Sequence, residues 1–126
     1  MSETISMPGS STRWVKVTSI DNIPIREGRP ALVGELEIAI FNMANGRFLA
    51  AENLCPHKGG PICDGIVTGT SVVCPLHQWK CNLETGAVER PAGHEACLKT
   101  YPVRIDDGVI SIEIPASVGG DLKVGP

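Results

Sequence analysis

Two short segments, Cys55-Pro56-His57 and Cys74-Pro75-Leu76-His77, constrain this chain more than any other feature. Each pairs one thiol with one imidazole, and sixteen residues separate His57 from Cys74. Two thiolates and two neutral imidazoles suit either a tetrahedral zinc site or a 2Fe-2S centre with the cysteines on one iron and the histidines on the other. A zinc finger usually ends in a His-x3-5-His pair. Here both pairs are mixed and each sits in its own Gly- and Pro-rich stretch, which favours the iron–sulfur arrangement. Two of only three histidines fall in these segments, so a pair of ordinary loop histidines is a remote alternative. His94 lies apart from both and reads as a solvated loop histidine.

The chain around the segments reads as strands. With 126 residues there is room for one domain around one core. Aromatics make up only 4%, while 14 Gly and 10 Pro favour short strands and many turns over packed helices. Residues 1–11 form a polar lead-in with nothing to bury, and the fold occupies about 12–115. Arg13 to Val17 is strand-like, and Thr18 to Asn22 can cap one short helical turn before Pro24 ends it. Ala31 to Val33 and Leu36 to Phe41 follow as strands, with Asn45-Gly46 supplying two positive-φ positions before Arg47 to Ala50. From about 52 to 91, Gly, Pro, Cys and His crowd around short apolar runs at Ile66-Val67 and Val72-Val73, as in an inserted lobe. Leu98, Tyr101, Val103 and Ile105 then lead through a second turn, Asp107-Gly108, into the alternating strand Val109 to Ile114. Residues 116–126 read as a Gly-rich tail. Antiparallel all-β architecture with an inserted lobe is the expectation.

Charge and composition exclude several functions. A net charge of -3 without a Lys or Arg run offers no basic face for nucleic acid or an anionic membrane. No apolar stretch nears the roughly 20 residues of a membrane span, and Met1 to Ser11 lacks a leader's apolar centre, so a cytoplasmic protein is expected. In that reducing setting five cysteines argue against a disulfide framework. Cys63, Cys81 and Cys97 are read as small buried hydrophobes. Asp106 and Asp107 belong to a turn, and no catalytic triad, phosphate loop or dinucleotide fingerprint is present.

Cys-x-His-x16-Cys-x2-His, with Gly59-Gly60-Pro61 and Gly65 beside it, resembles the Rieske motif. That resemblance implies the Rieske fold of antiparallel sheets with a cluster-binding lobe. It further implies that Cys55 and Cys74 hold the inner iron, while His57 and His77 hold the outer iron near the surface. Members of high potential carry a cysteine pair joined as a disulfide, together with Ser and Tyr hydroxyl donors. The corresponding positions here are Gly60, Leu76, Trp79 and Cys81. Without those groups the added electron is less stabilised, which predicts the low end of the range of about -150 to +300 mV. Trp79 reads as a cover over the cluster loop.

The resemblance runs from about Trp14 to Ile114. Cys55-Pro-His-Lys-Gly-Gly-Pro, Asp64-Gly-Ile-Val-Thr-Gly, Cys74-Pro-Leu-His-Gln-Trp-Lys and Cys97-Leu-Lys-Thr-Tyr-Pro-Val-Arg are most similar to the small subunits of assimilatory NAD(P)H-dependent nitrite reductases. Such a subunit implies a large flavoprotein partner with sirohaem and a 4Fe-4S cluster, where nitrite becomes ammonia. The alternative within the fold is the Rieske ferredoxin of an aromatic-ring dioxygenase, with another redox protein as partner. An alternative of another class is a zinc-bound docking module without redox activity.

Overall fold

The computed structural model describes residues 12–44, 46–53, 61–74, 79–90, 98–116 and 122–123. Apart from two single-turn 3-10 helices, Ile20–Asn22 and Ile62–Asp64, the regular structure in these residues is all strand. Three antiparallel sheets form from it. The first joins β1 (Thr12–Ser19), β11 (Val109–Pro115) and β10 (Val103–Asp106) in that order. The second runs β12 (Leu122–Lys123), β2 (Gly28–Val33), β3 (Leu36–Asn42), β4 (Phe48–Glu52) and β9 (Thr100–Tyr101). Between β4 and β9 the chain builds the third, with β5 (Ile66–Thr68), β6 (Ser71–Val73), β7 (Lys80–Asn82) and β8 (Val88–Arg90) as sequential neighbours.

The five-stranded sheet is the middle layer, and the sequence of β3 shows why. Ile38, Ala39, Ile40 and Phe41 are all buried, although successive side chains point to opposite faces of a strand. Both faces are therefore covered. Ile38, Ile40, Phe48 and Ala50 pack with Val15, Val17, Ile110, Ile112 and Ile114 in one core, against the three-stranded sheet. Ala39, Phe41 and Ala51 join Ile62, Val67, Val72, Cys81, Leu83 and Val88 in the other, beneath the third sheet. At about 25 cal/mol per Å² of apolar surface, continuous burial on both faces is what lets so few aromatics suffice.

Local chemistry sets the connections. Ser19 caps the first 3-10 turn as its hydroxyl accepts from the Asp21 N–H at 3.2 Å. Asp107 and Gly108 carry φ of 51° and 74°, the two positive values of a tight hairpin, and Asp106 pairs directly with Val109. The β3–β4 connection differs from the two-residue turn expected at Asn45-Gly46. Positive φ falls on Ala44 (76°) and Gly46 (82°), and the Met43 N–H donates to the Arg47 carbonyl at 2.9 Å across a longer loop. Asn45 itself lies outside the described residues. The strand resumes at Phe48 because the extra loop residues delay the return.

The stretch from 116 onward, read as a tail, contains β12, which pairs Leu122 with Val33 and Lys123 with Leu32. An edge strand such as β2 has unpaired backbone groups, and this pairing satisfies them over those two residues. Residues 1–11 lie outside the described set. No helix among the described residues is long and apolar enough to cross a membrane.

Candidate metal centre

Of the four candidate ligands, Cys74 is among the described residues; Cys55, His57 and His77 lie outside them, as do His94 and Cys97. Cys74 directly follows β6 and is 1% exposed, in the same buried cluster as Ile62, Val72 and Cys81. Its N–H donates to the Trp79 carbonyl at 2.8 Å, so the backbone on either side of residues 75–78 is drawn together. Trp79 is half-buried and packs on the same core; the loop it is read as covering lies outside the described residues.

The other segment, 54–60, is bracketed by Asn53 and Pro61. Asn53 follows β4 and is 2% exposed. Its amide oxygen accepts from the Cys63 N–H at 2.9 Å, while its Nδ2 donates to the Glu37 carboxylate at 2.7 Å and to Cys63 Sγ at 3.4 Å. A buried amide left without partners costs about 1–3 kcal/mol; here both its ends are satisfied. After the second 3-10 turn, Gly65 donates to the Ile62 carbonyl at 2.8 Å. Gly65 has an ordinary φ of -77°. What demands glycine is space, since a Cβ there would lie 2.5 Å from the Val73 carbonyl oxygen. Close approach thus sets the requirement at Gly65, whereas Gly69 (60°) and Gly86 (82°) adopt positive φ.

These contacts bring the exit of the first segment against the entry of the second, because Val73 precedes Cys74 and Ile66 pairs with Val73. The arrangement fits a two-iron centre in its donor chemistry. One thiol stands buried at the junction, and the three remaining candidates follow or precede the pinned backbone closely in sequence. Cys63 and Cys81 are both buried. The Cys63 thiol is pushed up from its ordinary value, chiefly by burial and despite the Asn53 hydrogen bond, so it stays protonated at neutral pH. Among the described residues no three His, Cys, Asp or Glu side chains gather as a second metal site.

Across the third sheet, Ile66, Val73, Lys80 and Arg90 lie in one register row beside Cys74. Ile66 is 68% exposed. Next to this row the Glu89 carboxyl is held below its ordinary value by donors from Ser71 (2.6 Å) and Asn82 (3.1 Å). A groove of about 710 Å³ lies elsewhere, lined by residues including Arg47, Leu83, Glu84, Tyr101 and Ile105, and the Arg47–Glu84 ion pair crosses its wall. Among the described residues no candidate ligand lines it. Asn53 went unmarked in the sequence because its partners, Cys63 and Glu37, are ten and sixteen residues away.

Residues 13–113 match the family of Rieske-like 2Fe-2S domains. The ferredoxin component of the naphthalene 1,2-dioxygenase/salicylate 5-hydroxylase systems of Ralstonia sp. is 34% identical over 95 residues, spanning 75% of this chain and 88% of that protein. A solved structure described as an NADPH nitrite reductase small subunit superposes with a TM-score of 0.69 at 25% identity, covering 79% of this chain and 97% of the other. A second, described as an NADH-dependent nitrite reductase small subunit from Mycobacterium tuberculosis, shares the fold with a TM-score of 0.77 at 21% identity, covering 85% and 99%.

Proposed function

This chain belongs to the Rieske-like 2Fe-2S domain family, and from that premise we propose that it serves as the small subunit of an NAD(P)H-dependent nitrite reductase, with Cys55, His57, Cys74 and His77 as its cluster ligands. Family membership makes it a Rieske-type electron-transfer component carrying a 2Fe-2S cluster. When bound, that cluster supplies one-electron redox chemistry at potentials of about -150 to +300 mV. The protein's own share of the work is to bury the Cys74 side, to keep water from it with Ile62, Val72 and Trp79, and to hold both ligand segments at one junction. The row of Ile66, Lys80 and Arg90 beside Cys74, with Glu89 3.9 Å from Lys80, offers a redox partner an apolar contact flanked by charged groups.

The nitrite reductase reading is carried by the likeness to the NADPH nitrite reductase small subunit over 97% of that chain. The stretches Lys58 to Pro61 and Cys97 to Arg104 add to it. The partner would be a cytoplasmic flavin- and sirohaem-containing large subunit, and nitrite would react there. A second reading, the ferredoxin of an aromatic-ring oxygenase, draws on the 34% identity to the Ralstonia ferredoxin component. Reconstitution separates them. Mixed with a large nitrite reductase subunit, the chain should raise NAD(P)H-dependent ammonia formation from nitrite, and it should not restore naphthalene oxidation to an oxygenase and reductase lacking their ferredoxin. The reverse pattern would overturn the proposal in favour of the second reading.

A further inference from the structure

We infer that Asn53 is a positioning residue for the cluster, locking the first ligand segment through the Glu37–Asn53–Cys63 hydrogen-bond chain. This rests on the ligand assignment above. Asn53 stands two residues before Cys55, and its amide oxygen takes the backbone N–H of Cys63 at 2.9 Å, beyond the far end of the segment. Entry and exit of the segment are thereby tied to one side chain. That side chain is anchored in turn, because Nδ2 donates to Glu37 on β3 of the middle sheet at 2.7 Å. The Asn53 N–H also donates to the Glu37 carbonyl at 3.0 Å, so the backbone shares the anchor.

The geometry of a ligand set tightens when supporting hydrogen bonds restrict the segment that carries it, and loss of such support commonly weakens metal binding by about 10–100-fold. Burial at 2% sharpens the effect, since water cannot replace the missing amide at little cost. The Cys63 side chain matters less than its backbone, as Sγ is the longer contact at 3.4 Å.

The test compares the iron-loaded wild type with Asn53→Ala, Cys63→Ala and Ile112→Ala. Ile112 lies in the other core and serves as a control for lost stability alone. Iron transfer to excess ferrozine, the electron paramagnetic resonance spectrum of the dithionite-reduced protein and the urea midpoint are read on each. Asn53→Ala should release iron at least about tenfold faster than wild type and broaden the resonance. Cys63→Ala should stay close to wild type, and Ile112→Ala should lower the urea midpoint with an unchanged resonance. If Asn53→Ala cannot be recovered folded, Glu37→Ala removes one anchor from outside and should broaden the resonance in the same way. Iron release and spectra of the Asn53 or Glu37 variant that match Ile112→Ala would overturn the inference while leaving the ligand assignment intact. A dithionite-reduced wild type without the electron paramagnetic resonance signal of a 2Fe-2S centre ligated by nitrogen would overturn the assignment, and this inference with it.

Discussion

Replacing Gly65 with Ala tests whether the junction between the two ligand segments is as close as the geometry requires. The added methyl would sit 2.5 Å from the Val73 carbonyl oxygen, 2.6 Å from Val72 Cγ2 and 3.0 Å from the Ile62 carbonyl oxygen. Comfortable carbon contacts begin near about 3.5 Å, so the backbones must separate by up to roughly 1 Å. Two of the three obstructions are main chain and cannot rotate away. Overpacking of this kind costs about 1–3 kcal/mol, while the lower entropy of an unfolded alanine returns about 0.4–1 kcal/mol at this ordinary φ. A net loss of about 1–2 kcal/mol follows, or a fall in Tm of roughly 5–15 °C for a domain of this size. Because the strain falls on Val73, next to Cys74, the visible spectrum of the iron-loaded protein should change as well. Gly69→Ala is the comparison: its Cβ meets nothing within 4 Å, and its φ of 60° imposes only the left-handed cost of about 1–2 kcal/mol. Differential scanning calorimetry with absorbance spectra on both variants decides the matter. An unaltered spectrum in Gly65→Ala, or a loss of stability there well under about 1 kcal/mol, would refute the argument that close approach at this point shapes the site.

Other outcomes follow from the same structure. Gly86→Ala combines a φ of 82° with a Cβ 2.2 Å from the Leu98 carbonyl oxygen and threatens the 2.7 Å bond from the Leu98 N–H to Gly86, so urea denaturation should show a loss of about 3–5 kcal/mol. His77→Ala should remove an iron ligand; iron analysis should find the cluster depleted, and a full iron complement with an unchanged spectrum would refute the ligand assignment. Tyr101 gives a pH dependence. Burial, helped by Glu52, pushes its phenol up to about 12. The neutral form is therefore favoured in the folded state, so its contribution is complete below about pH 10 and is lost as pH rises towards about 12. Unfolding free energies measured across pH 9–12 should fall in the wild type and fall less in Tyr101→Phe.

The features that sequence made legible are those set by neighbouring residues. The Asp107-Gly108 turn follows from two residues tolerant of positive φ, and the Ser19 cap follows from a hydroxyl two positions before the N–H it accepts. Buried Cys63 and Cys81 also agree with their reading as small hydrophobes. The Asn45-Gly46 expectation shows where local reasoning stops: Ala44 bears one of the positive φ values, a conformation imposed by the Met43–Arg47 closure rather than by its own preference. The run from Ile38 to Phe41 signalled burial but left open which elements cover each face. Nor could the pairing of β12 with β2 be read from a Gly-rich terminus, because the partner edge is nearly ninety residues away.

By itself, then, the sequence singled out the candidate donor set, two thiols and two imidazoles in two Pro-containing segments, since ligand chemistry resides in residue types and short spacings. Tertiary structure alone decided that the middle sheet is covered on both faces, and that the two segments spring from one junction where Gly65 meets Val73 and Asn53 reaches Cys63. Those contacts depend on steric fit and directed hydrogen bonds between residues distant in sequence, which become definite only when all three sheets pack together.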